Sequence, residues 1–125
     1  MQGRTSSQRP RGIRARSFEF ACRIVKLHQY LQKCGGTERE IGRQLLRSGT
    51  SIGANLEEAD AGQSKSDFIS KCSIALKEAR ETHYWLRLLK DSKLMDEGCA
   101  KELLDRSEEL IRMLTSIVKT TQTGA

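Results

Sequence analysis

Apolar residues recur every three or four positions along most of the chain, which is the spacing of one face of an α-helix. Between positions 41 and 56 they share a single helical arc with three glycines. A glycine inside a helix costs about 1 kcal/mol relative to alanine, and that cost is tolerated where another backbone has to approach closely. We therefore predict that this helix presents a smooth packing surface made of Gly42, Gly49 and Gly53.

The periodicity predicts four helices, over about 17–33, 37–61, 64–90 and 97–119. The glycine pair at 35–36 separates the first two, and all the links between helices are short. Short links place consecutive helices antiparallel to each other. The fold class that follows is all-α, an up-down-up-down four-helix bundle without strands.

Polar residues at the starts of three helices are expected to cap them. Ser17 precedes the first helix, and Thr37 followed by Glu40 forms a capping-box pattern for the second. Ser64 or Ser66 is the expected cap of the third.

The first helix carries more apolar surface than one bundle needs. Its apolar side chains cover more than half of the circumference, whereas a helix in a monomeric bundle buries a stripe of somewhat more than about 100°. The residues concerned are Phe18, Phe20, Ala21, Cys22, Ile24, Val25, Leu27, His28 and Leu31. A second subunit is the simplest cover for the surplus, so we predict a homo-oligomer.

Positive charge is concentrated at the N-terminus. The first 16 residues contain five arginines and no acid, in a chain of 125 residues with a formal net charge of +6. These arginines are Arg4, Arg9, Arg11, Arg14 and Arg16. We predict a disordered basic arm over 1–16, the bundle over 17–120 and a frayed tail over 121–125. Such an arm suits an anionic partner, above all nucleic acid, but it also suits a tail that only keeps the protein soluble.

Two features bear on the compartment. No apolar run approaches the roughly 20 residues that cross a bilayer, so no membrane association is predicted. The four cysteines, Cys22, Cys34, Cys72 and Cys99, show no CxxC spacing. We interpret them as reduced core thiols of a cytoplasmic protein.

The histidines argue against a metal site. Bundles of the di-iron type carry Glu-x-x-His on two helices, but Val25 and Arg80 occupy the glutamate positions before His28 and His83. We predict no metal and no cofactor. A metal–carboxylate enzyme is the least favoured hypothesis for this chain.

One polar cluster is predicted between the second and third helices. Arg47, Ser51 and Asn55 follow one edge of the second helix, and Glu78 lies within the apolar arc of the third, where an unpaired carboxylate would be costly. We interpret these four as an interhelical hydrogen-bond cluster that fixes the helix register, with Glu81 at its margin. Acid–base catalysis is the alternative, but no nucleophile or second base accompanies Glu78, so we predict that the protein is not an enzyme.

Basic residues recur at one-turn spacing on three of the helices. Cations beside an aromatic ring suit phosphate contacts and base stacking, although a row of charges on a helix is more often simply solvated. The candidate nucleic-acid-binding residues are Arg23, Lys26, Arg39, Arg43, Arg47, Lys77, Arg80, Tyr84 and Arg87.

Four stretches of the chain resemble a bacterial family of four-helix bundles, the 23S rRNA-intervening sequence proteins. They read RSFEFA at 16–21, QLLRSGTSIGAN at 44–55, DFI at 67–69 and ALKEARETHYWL at 75–86, and the resemblance extends over about 16–119. It implies assembly as a barrel-like homopentamer. A related branch, the accessory proteins of diversity-generating retroelements, binds reverse transcriptase and nucleic acid, and no enzymatic activity is attached to the family.

These observations together favour a non-enzymatic, homo-oligomeric helical bundle. Its expected partners are RNA or DNA, or a nucleic-acid enzyme such as a reverse transcriptase, bound through basic surfaces. The alternative is a purely structural assembly module whose protein partner docks on the first and fourth helices.

Overall fold

The structure, a computed structural model, describes residues 12–61 and 64–123. Their helices are α1 (Ile13–Cys34), α2 (Gly36–Asp60), α3 (Lys65–Asp91) and α4 (Glu97–Thr123). This part of the chain contains no strand, and none of its helices is long and apolar enough to cross a membrane. The prediction of an all-α bundle with four helices is confirmed.

Consecutive helices pack side by side, and α4 closes the bundle against α1. The ion pairs between α2 and α3 show that these two run antiparallel, because Glu58 meets Lys71 while Arg47, earlier in α2, meets Glu81, later in α3. Along their described lengths α1 and α3 have no Cα atoms within 8 Å of each other, so they lie on a diagonal of the bundle. The smallest of the four helix–helix interfaces is the one between α1 and α4.

The first helix begins at Ile13, one turn earlier than expected. Ser17 lies inside it, fully buried, and its Oγ lacks a hydrogen-bond partner among the described residues. The prediction that Ser17 caps α1 is therefore wrong. The additional turn is held by ion pairs that Arg14 and Arg16 form with acids of α2 and α4. Residues 1–11 of the expected arm lie outside the described residues.

The second helix follows α1 almost without a break. Gly35 and Gly36 have φ angles of 75° and 58°, a region that glycine enters without steric cost, and α2 starts at Gly36 itself. Because Gly35 occupies the N-cap position and has no side chain, the predicted capping box of Thr37 and Glu40 does not form. Glu40 instead forms an ion pair with Arg43 at 3.0 Å.

Side-chain caps start the other two helices. The Ser64 side chain accepts a hydrogen bond at 3.1 Å from a backbone N–H in the first turn of α3, which confirms one of the two candidate caps. Oδ2 of Asp96 accepts one from the N–H of Cys99 at 2.9 Å, a cap of α4 that is not among the sequence predictions. The last helix continues to Thr123, so it includes part of the expected frayed tail.

All four helices contribute to one apolar core. Its largest members are Phe20, Ile24, Leu31, Leu45, Ile52, Leu86, Leu89, Leu110 and Leu114. Among the cysteines only Cys72 is buried, whereas Cys22, Cys34 and Cys99 are exposed. The interpretation of the cysteines as core thiols therefore holds for one of the four.

The glycine surface of α2 packs against α1. A Cβ added to Gly49 would lie 2.9 Å from Cγ2 of Ile24, and one added to Gly42 would lie 3.1 Å from Cβ of Leu31. Carbon atoms in contact prefer about 3.5–4.0 Å, so the absence of a side chain permits this approach. At Gly53 the added atom would meet its neighbours at ordinary contact distances. The predicted close packing is thus found at Gly42 and Gly49 and is looser at Gly53.

Part of the apolar surface of α1 stays outside the core. Phe18 and Val25, two turns apart, are 69% and 39% exposed, and Cys22 is exposed between them. Beside this face, a groove of about 670 Å³ separates α1 from α4, with Leu27 and Leu103 among its lining residues. The predicted apolar surplus on α1 is present in the fold.

Candidate nucleic-acid interface

Arg47 joins α2 to α3 through two carboxylates. Its Nη1 lies 3.3 Å from Oε1 of Glu78, and its Nη2 lies 2.5 Å from Oε2 of Glu81. The two glutamates share one face of α3 because they are three residues apart, so a single guanidinium reaches both. The side chain of Glu78 is only 19% exposed, and Arg47 supplies the partner that its burial requires.

Ser51 and Asn55 do not reach Glu78. The Ser51 hydroxyl donates to the carbonyl of Arg47 at 2.7 Å, and the Asn55 side-chain amide donates to the carbonyl of Ser51 at 2.8 Å. Both side chains therefore bond to the backbone one turn earlier in their own helix. The interhelical cluster consists of Arg47, Glu78 and Glu81.

Trp85 extends this cluster along α3. Its indole N–H donates to Oε2 of Glu81 at 3.0 Å. The hydrogen bond from Arg47 and then that from Trp85 lower the pKa of Glu81 below its usual value. The rings of Trp85 and Tyr84 meet edge to face, with centroids 5.1 Å apart and planes inclined at 70°. A continuous line of contacts thus runs from α2 to an exposed tyrosine.

A buried hydroxyl pair next to the cluster is not among the sequence predictions. The hydroxyl oxygens of Ser48 and Thr82 lie 2.9 Å apart, and both residues are fully buried. Thr82 Oγ1 also lies 2.7 Å from the carbonyl oxygen of Glu78. The sequence carries a signal for this pair, since Ser48 falls three residues after Leu45 and four before Ile52, at a core position of α2.

Basic side chains form a row on the solvent side of α3. Lys77, Arg80 and Arg87 are exposed, and Tyr84, 51% exposed, lies among them. Their spacing of three and four residues places them on one side of the helix. None of the three cations forms an ion pair with another described residue. We name these four residues the α3 stripe.

The other candidate binding residues are dispersed and mostly engaged. Arg43 and Arg47 form the ion pairs described above. Arg23 on α1 pairs with a glutamate of α4 at 2.8 Å, and the guanidinium of Arg39 donates to a backbone carbonyl of α1 at 3.0 Å. Lys26 lines the groove between α1 and α4. Because α1 and α3 are diagonal, the candidates do not form one face, and the α3 stripe is their largest group.

Two arginines of the expected N-terminal arm are attached to the bundle. Arg14 contacts Glu57 at 2.8 Å and Asp60 at 3.1 Å, and Arg16 pairs with Glu109. Their charges are therefore compensated by acids of α2 and α4. The other three arginines of that segment lie outside the described residues.

The geometry defines an all-α four-helix bundle with a polar cluster between α2 and α3 and a basic stripe on α3. The family model described as 23S rRNA-intervening sequence protein matches residues 12–116. The chain belongs to this family, and the resemblance noted in the sequence is confirmed.

A solved relative shares the fold. It is a protein of unknown function from the S23 ribosomal protein family of Bacteroides thetaiotaomicron VPI-5482, whose crystal structure was determined at 1.70 Å resolution. Its similarity to this chain has a TM-score of 0.81 and 43% sequence identity, and it covers 87% of this chain and 100% of the relative. A comparison with curated protein sequences gave no significant match.

Proposed function

We propose that the protein is a non-enzymatic, homo-oligomeric helical bundle that binds RNA or DNA, or a nucleic-acid enzyme such as a reverse transcriptase. The proposal depends on one observation, the exposure of Lys77, Arg80 and Arg87 on one side of α3 without carboxylate partners among the described residues. Exposed cations without carboxylate partners can contact phosphates without first breaking an ion pair. Membership of a family named for 23S rRNA-intervening sequences is consistent with a nucleic-acid partner.

Phosphate contacts dominate this mode of binding. The α3 stripe, from Lys77 to Arg87, is about 15 Å long at about 1.5 Å per helical residue, so one stripe contacts only a few nucleotides. Backbone contacts carry little sequence preference, and their affinity falls steeply with salt. Several copies of the stripe in one oligomer raise the overall affinity above that of a single subunit.

The exposed face of α1 supports the homo-oligomeric part of the proposal. Phe18, Cys22 and Val25 form an exposed apolar row, which another subunit would cover in an oligomer. The family resemblance leads us to propose a pentamer.

The polar cluster supports a role without catalysis. A general base needs an accessible oxygen and a pKa near the working pH. Arg47 already bonds to the carboxylates of Glu78 and Glu81, and the pKa of Glu81 is lowered rather than raised. Both carboxylates therefore serve the contact between α2 and α3.

An electrophoretic mobility shift with mixed-sequence RNA tests nucleic-acid binding. We expect the wild-type protein to retard the RNA at low salt and to lose this effect at about 0.3 M salt. The Arg80→Ala/Arg87→Ala variant should not retard the RNA even at low salt. Lys71→Ala/Lys101→Ala is the matched control, since it removes the same net charge from lysines that are paired with acids. Equal losses in both variants would contradict a role for the α3 stripe, and a wild type that retains neither RNA nor DNA would refute nucleic-acid binding.

Sedimentation velocity tests the assembly. Val25 on α1 and Ile74 on α3 are matched in exposure, at 39% and 38%. We expect Val25→Asp to dissociate the oligomer and Ile74→Asp to leave it intact, because only Val25 belongs to the apolar row of α1. A wild type that sediments as a folded single subunit at micromolar concentration would refute the homo-oligomer.

A structural assembly module is the second candidate function, and the groove between α1 and α4 favours it. Leu27, Met95 and Leu103 line this groove at the smallest interface of the bundle, where another protein has room to dock. An oligomer that binds no nucleic acid would favour this candidate over the first.

A further inference from the structure

Tyr84 has surroundings that suit contact with a base. Its ring is 51% exposed, with Arg80 one turn before it on α3 and Arg87 one turn after it. Tyr30 on α1 is comparably exposed, but two carboxylates interact with it electrostatically, and it lines the groove between α1 and α4. Of these two tyrosines, only Tyr84 stands in a row of cations that have no ion-pair partner among the described residues.

The ring of Tyr84 also packs against a second aromatic ring. It makes an edge-to-face contact with Trp85, with centroids 5.1 Å apart, and this contact restricts the movement of the ring. Glu81 holds the indole of Trp85 through a 3.0 Å hydrogen bond, and Arg47 holds Glu81 at 2.5 Å. Support of this kind lowers the entropy that a side chain loses when it binds a ligand.

We infer that the α3 stripe selects single-stranded over double-stranded nucleic acid, with Tyr84 stacking on an unpaired base while Arg80 and Arg87 contact the flanking phosphates. The inference rests on the proposed function and narrows its class of ligand. Bases inside a duplex are covered on both faces by their neighbours, whereas an unpaired base offers a face to an aromatic side chain. Every base has such a face, so the preference is for strand state and not for sequence.

Fluorescence anisotropy tests the inference with labelled oligouridine and oligothymidine and with RNA and DNA duplexes of equal length. We expect both single strands to bind more tightly than the duplexes. Tyr84→Leu should weaken single-strand binding by about 5- to 150-fold, the range for loss of one stacked base, and Tyr84→Phe should restore it. Tyr30→Leu is the matched control, because it removes a tyrosine of similar exposure outside the stripe.

Salt dependence separates stacking from charge. Tyr84→Leu removes no charge, so the slope of log affinity against log salt should not change. Arg80→Ala/Arg87→Ala should reduce that slope by about 1.4, since each phosphate contact on a single strand contributes about 0.7.

Three results would overturn the inference. The first is an unchanged single-strand affinity in Tyr84→Leu. The second is that Tyr84→Leu loses the same affinity for duplexes as for single strands. The third is that Tyr84→Leu loses affinity for oligouridine but not for oligothymidine, which would indicate recognition of the 2′-hydroxyl. If Arg80→Ala/Arg87→Ala still loses binding in any of these cases, the proposed function stands without the inference. If the wild type binds none of the probes, the inference falls together with the nucleic-acid binding of the proposed function.

The support behind Tyr84 has its own test. Glu81→Ala removes the acceptor for the Trp85 indole, whereas Glu81→Gln removes the same charge but keeps an acceptor oxygen. Single-strand affinity should therefore be several-fold lower in Glu81→Ala than in Glu81→Gln, while the duplex affinities of the two variants should be equal. Trp85 is the only tryptophan of the chain, so its emission reports whether the ring environment changes in each variant. Equal single-strand affinities in Glu81→Ala and Glu81→Gln would show that Glu81 does not position Tyr84.

Discussion

Replacing Gly49 with alanine places a methyl group where α1 and α2 already touch. The added Cβ would lie 2.9, 3.0 and 3.3 Å from Cγ2, Cγ1 and Cβ of Ile24, whereas carbon atoms in contact settle at about 3.5–4.0 Å. Ile24 is fully buried and β-branched, so its χ1 angle has little freedom in a helix. The overlap is therefore relieved by a shift of α1 and not by rotation of one side chain.

Two opposing effects set the size of the change. Adding a carbon to a packed core costs about 1–3 kcal/mol, and replacing a helical glycine with alanine returns about 1 kcal/mol. We therefore expect Gly49→Ala to range from neutral to about 2 kcal/mol less stable than wild type. Gly53→Ala gains the same helix propensity with its nearest contact at 3.7 Å, so it should be about 1 kcal/mol more stable.

Urea unfolding followed by circular dichroism measures both variants. All proteins are compared at one subunit concentration, because the proposed assembly would stabilise the folded chain. The two free energies of unfolding should differ by about 1–3 kcal/mol, with Gly53→Ala the more stable. A Gly49→Ala protein as stable as Gly53→Ala would refute the close approach of Ile24 to Gly49.

Three further substitutions test the polar contacts between α2 and α3. Glu78→Gln should be less destabilising than Glu78→Leu, because an amide oxygen still accepts a hydrogen bond from the arginine of α2; equal urea midpoints for wild type and Glu78→Leu would refute the pairing. The pKa of Glu81 is lowered in the folded protein, so its stabilisation is complete above the unfolded value of about 4.3 and is lost as the pH falls through the lower folded value. Glu81→Gln should thus be less stable than wild type at neutral pH, and the difference in urea midpoints should shrink on acidification; a difference independent of pH would contradict this. Thr82→Val should cost about 1 kcal/mol, because the buried Ser48 hydroxyl loses its partner on α3. Strict additivity with Ser48→Ala in a double-mutant cycle would argue against the hydroxyl pair.

Periodicity locates all four helices because their core positions repeat through every turn, and the breaks at Gly35, Gly36 and Ser64 have a direct stereochemical cause. The start of α1 escapes this reasoning. Its first turn is stabilised by Arg14 and Arg16, whose acidic partners lie on other helices. The acidic partners of these arginines are distant in the sequence, so they are brought together only when the four helices of one chain pack against each other.

The polar cluster also combines contacts that the sequence predicts with contacts that it does not. The sequence predicts a partner for Glu78 among Arg47, Ser51 and Asn55, because a buried carboxylate requires one, and in the structure that partner is Arg47. Ser51 escapes prediction because a short polar side chain can bond to its own helix. Adjacent residues do not face each other on a helix, so the contact between the rings of Tyr84 and Trp85 depends on side-chain rotamers that a helical wheel does not contain.

Charge on α3 is sorted by face and not along the sequence. Residues 77–87 contain three cations and two carboxylates. Glu78 and Glu81 contact Arg47 on α2, whereas the three cations are exposed to solvent. A segment of small net charge therefore has a positive face. We therefore expect Arg47→Ala to weaken RNA binding even if Arg47 contacts no phosphate, because its loss would leave two uncompensated carboxylates near the stripe. Weak RNA binding in Arg47→Ala would have two explanations, which a triple variant separates. Adding Glu78→Gln and Glu81→Gln should restore binding if Arg47 acts by neutralising these carboxylates, whereas binding that stays weak would mean that Arg47 itself contacts the nucleic acid.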